Sequence, residues 1–408
     1  VGLSGITLLS NGNFLVNSPE WDSGGIVDAG AVTWGSGTTG VTGVVSSANS
    51  LVGSNTGDNI GSGGITELTN GNALVRSPYW DNGIGIDAGA VTFLNGTTGV
   101  TGVVSSANSL VGSKSGDNIG SDGITELSSG HFIVRSGSWD GTNADVGALT
   151  WGSSTTGVTG VVSSANSLVG TTAGGNVAYY STITELTNGN FVVINPYWDN
   201  GATLDVGAVT FGSGTTGVSG VVGSGTSLVG SKAYDHIGYN GITELSNGSY
   251  LVWSPYFDNG VTTVDAGALT WGSGSTGVKG VVSTTNSLIG TATDNVATTS
   301  TITELGNGNF LVVNPYWDNG AATDAGAVTW GSGTTGVKGL VSAANSLVGS
   351  TTNDYIGYDY YYYGGITILS NGNYVVRSPN WDNGAATDAG AVTWGSGTVG
   401  VKGVVSAT

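Results

Sequence analysis

The sequence predicts an all-β protein, a seven-bladed β-propeller with about 59 residues and four antiparallel strands per blade, and three observations carry that expectation. The first is repetition: the segment Ile6–Val16 (ITLLSNGNFLV) returns at Ile65, Ile124, Ile183, Ile242, Ile302 and Ile366, at intervals of 59, 59, 59, 59, 60 and 64 residues. A period of this size marks an architecture whose single unit cannot bury its own apolar face and needs neighbours. The second is the pattern within a unit. Apolar residues never hold a helical spacing for ten residues, and 75 glycines oppose long helices. The third is arithmetic: four short strands per unit and seven units suit a propeller. The alternative is a β-helix, but its coils run to roughly twenty residues, and the unit has no such sub-period.

The second copy shows how each element is read. Ile65–Leu68 is short and β-branched and forms the first strand. Asn70-Gly71 follows, the pair favoured in a type I′ hairpin turn, which needs positive φ at both central positions. The pair recurs at 11–12, 188–189, 247–248, 307–308 and 371–372, with Ser129-Gly130 in the third copy. Ala73–Ser77 is the second strand, Ala88–Phe93 the third, and the fourth lies around Ser109–Gly112. Because the repeats are continuous, residues 1–408 read as one domain. Val1–Gly5 aligns with Ile60–Gly64 and Val404–Thr408 with Val103–Ala107, so a ring closed by combining both ends is expected. The equivalent of Asn108–Asn118 is missing from that combined unit, so either one blade lacks a strand or the chain belongs to a longer polypeptide.

Composition narrows the setting. Cysteine and methionine are absent, charged residues make up 9%, and the net charge is −19. Without cysteine there is no disulfide frame. The acidic balance argues against nucleic acid, which needs basic patches facing phosphate, and against anionic membranes. No apolar run approaches the ~20 residues of a membrane span. Gly, Ser, Thr and Asn dominate, a balance that fits an extracellular or cell-surface location.

Segments such as Ser378-Pro-Asn-Trp-Asp-Asn-Gly384 followed by Asp388-Ala-Gly-Ala-Val-Thr-Trp-Gly395 resemble short repeats of very large bacterial secreted proteins of haemagglutinin or adhesin type. The resemblance covers essentially the whole chain and implies a secreted, adhesive repeat module. The Asp-box of other propellers places its aromatic five residues after Asp, whereas here it falls six after Asp388 and Ala386 replaces Ser/Thr. No glycosidase activity is carried over.

Positions that recur in every copy point to scaffold. One aromatic position is Trp21, Trp80, Trp139, Trp198, Phe257, Trp317 and Trp381; a second is Trp34, Phe93, Trp151, Phe211, Trp271, Trp330 and Trp394. They are either sugar-stacking platforms or fillers between blades, and Trp-to-Phe exchange favours packing. Two aspartates also recur: Asp22, Asp81, Asp140, Asp199, Asp258, Asp318 and Asp382, then Asp28, Asp87, Asp145, Asp205, Asp265, Asp324 and Asp388. Their Asp-Asn-Gly and Asp-Ala-Gly contexts suit carboxylates that bond their own turns. Calcium is the lesser reading, and no cofactor is expected. Glu67, Glu126, Glu185, Glu244 and Glu304 recur likewise, and the two histidines, His131 and His236, occupy different positions of the unit. A propeller enzyme should break its own repeat at one site, so an enzyme is not expected.

Function should then sit where the copies differ. Ten of the sixteen tyrosines lie in the connections 176–181, 234–239 and 354–363. The last contains Tyr358, Tyr360, Tyr361, Tyr362 and Tyr363, the candidate ligand-binding residues. Tyrosine offers a large amphipathic contact area with little rotamer entropy to lose. The expected function is a non-enzymatic extracellular structural and adhesive module meeting protein or glycan at a cell surface. The alternative is a multivalent lectin with sites between blades.

Overall fold

In the computed structural model, which describes residues 1–260, 263–291, 296–358 and 365–407, the chain is all-β and its seven units are the blades of a propeller. The first blade orders Ile6–Leu8, Phe14–Ser18, Ala31–Gly35 and Ser50–Val52 as successive antiparallel strands. Blades 2 to 6 repeat this order, and the second copy's strands fall at Gly64–Glu67, Ala73–Ser77, Ala90–Leu94 and Ser109–Val111. No helix of the described residues is long and apolar enough to cross a membrane.

Two details depart from the sequence reading. The hairpin between the first two strands is not a type I′ turn. Gly12 N–H bonds Leu9 C=O at 2.9 Å and Leu9 N–H bonds Asn13 C=O at 2.8 Å, so the loop is longer than two residues. Only Gly12 takes positive φ (87°), while Asn11 does not. This is the pattern of a turn closed by a left-handed glycine bulge. Asn11 is thereby released for another task, because its Nδ2 donates to Gly96 C=O of the second blade at 2.9 Å.

The second departure is a fifth strand. Gly102–Val103 pairs in parallel with Leu51–Val52 of the preceding blade, Leu51 facing Gly102 and Val52 facing Val103. The same stitch joins every consecutive pair up to Gly403–Val404, which pairs with Leu347–Val348 of blade 6. Each repeat therefore completes the sheet before it. The chain ends do not combine in one blade: Val1–Gly5 folds on blade 1, where Gly2 N–H bonds Ser18 Oγ, and the last strand belongs to blade 6. Blade 7 has three described strands, Ile366–Ile368, Tyr374–Ser378 and Ala391–Gly395.

The cores lie between blades. Among the described residues six apolar clusters form, one for each consecutive pair. In the third-to-fourth interface, Ile133, Leu149 and Leu168 of one blade meet Phe191, Val193 and Trp198 of the next. The third and fourth strands carry a buried hydroxyl pair, as in Thr150 and Ser167 with Oγ atoms 2.7 Å apart, which satisfies both polar groups inside the sheet.

Polar clamps fix the spacing between blades. The recurring glutamate accepts from the hairpin of the preceding blade: Thr69 N–H to Glu126 at 2.7 Å, Thr187 N–H to Glu244 at 2.8 Å, with equivalents at Glu67, Glu185 and Glu304. A single carbonyl, Gly96 C=O, receives Asn11 Nδ2, Asn13 Nδ2 and Trp34 Nε1 at 2.9, 2.9 and 3.0 Å. Gly397 C=O receives Asn307, Asn309 and Trp330 in the same way.

Tyr250 and Tyr374 stand in the core position that Phe132, Phe191 and Phe310 fill in other blades. Burial pushes the Tyr374 phenol up to about 12, offset only partly by the Val401 N–H that it accepts, and raises Tyr250 further. A phenol raised above its unfolded value of about 10 keeps its full contribution below that pH and loses it on the way to the folded value. The urea midpoint should therefore hold steady to about pH 10 and fall as pH approaches 12, and the Tyr250→Phe, Tyr374→Phe double variant should flatten that fall.

Candidate functional site

The connections that leave the fourth strands of blades 1, 2, 4 and 6 hold their shape through one aspartate that pattern reading missed. Asp58, Asp117, Asp235 and Asp354 are fully buried. Asp117 Oδ2 accepts from Ser113 and Lys114 N–H at 2.8 and 2.9 Å, and its Oδ1 accepts from Asp140 N–H of the next blade at 2.9 Å. Asp235 does the same with Ser231, Lys232 and Asp258, and there desolvation outweighs the three N–H groups and raises its pKa. The signal was present in the sequence as Gly57-Asp58, Gly116-Asp117, Tyr234-Asp235 and Asn353-Asp354, but it reads as surface turn chemistry.

On this frame the next residue is free to vary. Asn59, Asn118, His236 and Tyr355 all take left-handed φ, between 41° and 45°. Asn59 and Asn118 donate to Pro19 and Pro78 C=O at 3.1 and 3.0 Å, and His236 Nδ1 meets Pro196 C=O at 3.0 Å. The backbone is conserved among copies while the side chain changes from amide to imidazole to phenol. Left-handed aromatic residues cost backbone strain, which persists only where the surroundings over-determine it.

That exchange assembles an aromatic surface. Tyr179 and Tyr180 lie 4.9 Å apart, Tyr180 reaches Tyr197 at 5.9 Å, and Tyr197 reaches His236 at 5.6 Å. His236 touches Tyr234, Tyr239 and Tyr256 at 6.1, 5.7 and 5.6 Å, and Tyr239 meets Tyr256 at 4.8 Å. Most contacts are edge-to-face, the arrangement ring quadrupoles favour. The six tyrosines are 38 to 66% exposed. Desolvation, followed by the neighbouring Tyr239, raises the Tyr197 phenol above its ordinary value.

Of the residues singled out from sequence, Tyr358 joins a second cluster, 6.0 Å from both Tyr316 and Tyr355. Tyr360, Tyr361, Tyr362 and Tyr363 lie outside the described residues. Sequence reading missed Tyr197, Tyr256 and Tyr316, which follow a proline at the end of the second strand. Pro-Tyr at 78–79, 196–197, 255–256 and 315–316 was the available signal. The fourth residue of the second strand differs from copy to copy and binds neighbouring groups: Arg76 Nη1 donates to Gly120 C=O, Asn17 Nδ2 to Gly61 C=O, and Trp253 Nε1 to Thr243 Oγ1.

The recurring residues are structural. In all seven copies the first aspartate accepts from the backbone N–H of the second, at 2.7 to 2.9 Å, and the second takes left-handed φ of 49° to 55°. This is the hydrogen bond that the turn reading calls for. Among the described residues no three His, Asp or Glu side chains gather as metal ligands would. The first aromatic position is buried in blades 2 to 7. At the second, Trp151 and Trp271 donate across to Gly214 and Gly333 C=O at 3.2 and 3.1 Å. Both positions are packing between blades.

A family model described as a repeat of unknown function (DUF5650) matches residues 8–62, 67–121, 126–179, 185–239, 244–298, 304–358 and 368–408. The chain belongs to this family. Each of the first six matches runs from the first strand of a blade into the connection that follows, so the DUF5650 repeat coincides with the blade and its outgoing loop. No curated protein matches. Among solved structures, a periplasmic gluconolactonase of Pseudomonas aeruginosa aligns at 10% identity and TM-score 0.26, covering 95% of this chain and 93% of that one. A PL25 ulvan lyase aligns at 9% and 0.28, covering 97% and 91%, and an exo-β-1,3-galactanase of Clostridium thermocellum at 12% and 0.21, covering 94% and 90%. Likeness at this level carries no inference about chemistry.

Proposed function

We propose that the chain is a non-enzymatic, extracellular adhesive module of a bacterial surface or secreted protein, and that it meets protein or glycan through the tyrosine-rich loop face. The observation that carries this reading is the continuous aromatic network of Tyr179, Tyr180, Tyr197, Tyr234, His236, Tyr239 and Tyr256. Exposed aromatic patches of this extent risk aggregation and are uncommon unless they are used. The non-enzymatic part is supported by the aspartates, whose carboxylates are engaged by backbone N–H groups in copy after copy. The composition and the resemblance to adhesin repeats support the extracellular setting. The lectin reading with sites between blades loses support, because the aromatic positions it needs pack against the neighbouring blade.

The test is a triple replacement, Tyr180→Ser, Tyr239→Ser and Tyr256→Ser, read on a glycan array and in adhesion to cell-surface protein. All three side chains are at least 38% exposed, so thermal stability should change little. Binding should fall at least about a hundredfold, since a few aromatic anchors carry most of an interface. Unchanged binding by a folded triple variant would refute the reading.

A further inference from the structure

We propose that the partner taken by the tyrosine-rich loop face is a basic protein segment, its lysine and arginine side chains laid on the tyrosine rings and countered by the acidic loops around them. This names the partner class for the adhesive reading above and rests on that reading. The two ends of the blades divide the charge unequally. Every described aspartate stands on a connection that follows a second or a fourth strand, at the end that carries the exposed tyrosines, and Glu20 joins them there. The hairpin end holds the other glutamates, at 67, 126, 185, 244 and 304, beside Lys279, Lys338 and Lys402. Those charges leave only a small negative excess, so most of the net charge of −19 falls on the tyrosine end.

Carboxylates also lie against the rings themselves. Asp205 C=O accepts the His236 N–H at 3.1 Å, and after desolvation and Tyr239 its charge helps to raise the Tyr197 phenol. The second cluster repeats the pairing, because Asp324 C=O accepts the Tyr355 N–H at 3.0 Å and Tyr355 Oη donates to Asp324 Oδ2 at 3.4 Å. Two cations stand beside the larger network, and both are held by backbone carbonyls: Arg135 Nη2 donates to Ser181 C=O at 2.9 Å, and Lys232 Nζ donates to Gly260 C=O. Tyr197, His236 and Tyr239 form a triangle with centroids 5.6, 5.7 and 6.4 Å apart. A cation resting about 4 Å above that triangle lies about 5 Å from each ring, within the reach of the ring quadrupoles. The Pro196 carbonyl beside His236 Nδ1 only accepts, so Nδ1 carries the proton, and Nε2 of the neutral ring is left as an acceptor for an ammonium or guanidinium N–H. An acidic polymer would be repelled from this end, and a neutral glycan would gain nothing from its charge. A basic segment gains both long-range attraction and ring contact.

Fluorescence anisotropy with three labelled decapeptides tests this: alternating Lys and Ser, the same peptide acetylated at every lysine, and alternating Glu and Ser. The Lys-Ser peptide should bind at least about tenfold more tightly than either control, and raising NaCl from about 20 to about 200 mM should weaken it at least about tenfold. Charge alone would attract any polycation, so the rings are tested separately. Tyr180→Phe, Tyr239→Phe and Tyr256→Phe together should keep the affinity within about threefold, because the ring faces remain. The serine triple at the same positions should lose at least about tenfold with its net charge unchanged. Melting temperature checks that both triples fold, and the peptide and salt comparisons on the wild-type chain need no variant. Equal binding of the acetylated peptide, indifference to salt, or full binding by the folded serine triple would each overturn the basic partner. If the serine triple loses adhesion while the Lys-Ser peptide fails to bind, the adhesive reading stands and the partner is a neutral glycan or an uncharged protein surface. If the triple adheres as the wild type does, both fall.

Discussion

Trp198→Ala should destabilise the protein by about 4 kcal/mol, while Trp198→Phe should cost only about 1 kcal/mol. Trp198 is 1% exposed and sits in the core between blades 3 and 4, against Phe191, Val177 and Val206. Truncation to alanine opens a cavity between two sheets whose spacing is held by hydrogen bonds elsewhere, so the site cannot collapse to fill it. The interblade contact is pinned at its hairpin end by Ser128 N–H to Glu185 and by Trp151 Nε1 to Gly214 C=O. Phenylalanine is tolerated for two reasons. Phe257 fills the equivalent place in blade 5, and the Trp198 indole N–H is buried without a protein acceptor, so its removal loses no hydrogen bond. Urea denaturation measures both variants. Because repeat proteins can lose cooperativity, the fluorescence of blades remote from the lesion should be followed too. An alanine variant within about 1 kcal/mol of wild type would mean that the interface relaxes into the space.

The same packing logic explains how far the sequence could be read. Repetition, strand content and the role of the aspartate pair were legible because each is local: an Asp that bonds an N–H six residues on, as Asp81 does with Asp87, leaves its trace within one short segment. The hairpin type was not legible, because Asn70-Gly71 suits two turns and the choice is made by Asn70 reaching Ser154 C=O in the next blade. The fifth strand is two residues long, Gly102-Val103, too short for any alternation to register, and its partner lies about fifty residues back in the preceding blade. The tyrosine-rich connections were found as irregularities of the repeat. Their partners Tyr197, Tyr256 and Tyr316 recur after proline and so looked like scaffold. Only the fold brings a regular position against an irregular one, as at Tyr239 and Tyr256, 4.8 Å apart.

Asp117→Ala should cost about 3 kcal/mol, more than any substitution at the exposed aspartates. The side chain is fully buried and its two oxygens accept three backbone N–H groups, from Ser113, Lys114 and Asp140. Alanine removes the acceptor that three part-buried N–H groups share, and the exposed rims at Ser113 and Lys114 regain only part of that loss from water. Asp117→Asn should be milder, about 2 kcal/mol, because the amide keeps one acceptor but turns an NH2 toward donors. The loss should be local as well as global. Asp117 joins the exit of blade 2 to the Trp139-Asp140 corner of blade 3, and Asp140 in turn accepts from Asp145 N–H at 2.7 Å. Hydrogen exchange should therefore show Ser113, Lys114, Asp140 and Asp145 amides losing protection first, with blades 5 and 6 little changed. The third connection gives an internal comparison: Gly175 stands where Asp117 does, and a Cβ there would lie 2.4 Å from Asp199 N. That junction is closed by direct backbone approach, so its amides should be indifferent to the variant. Protection and urea midpoint both unchanged in Asp117→Ala would show that water replaces the carboxylate and that the aspartate does not hold the blades together.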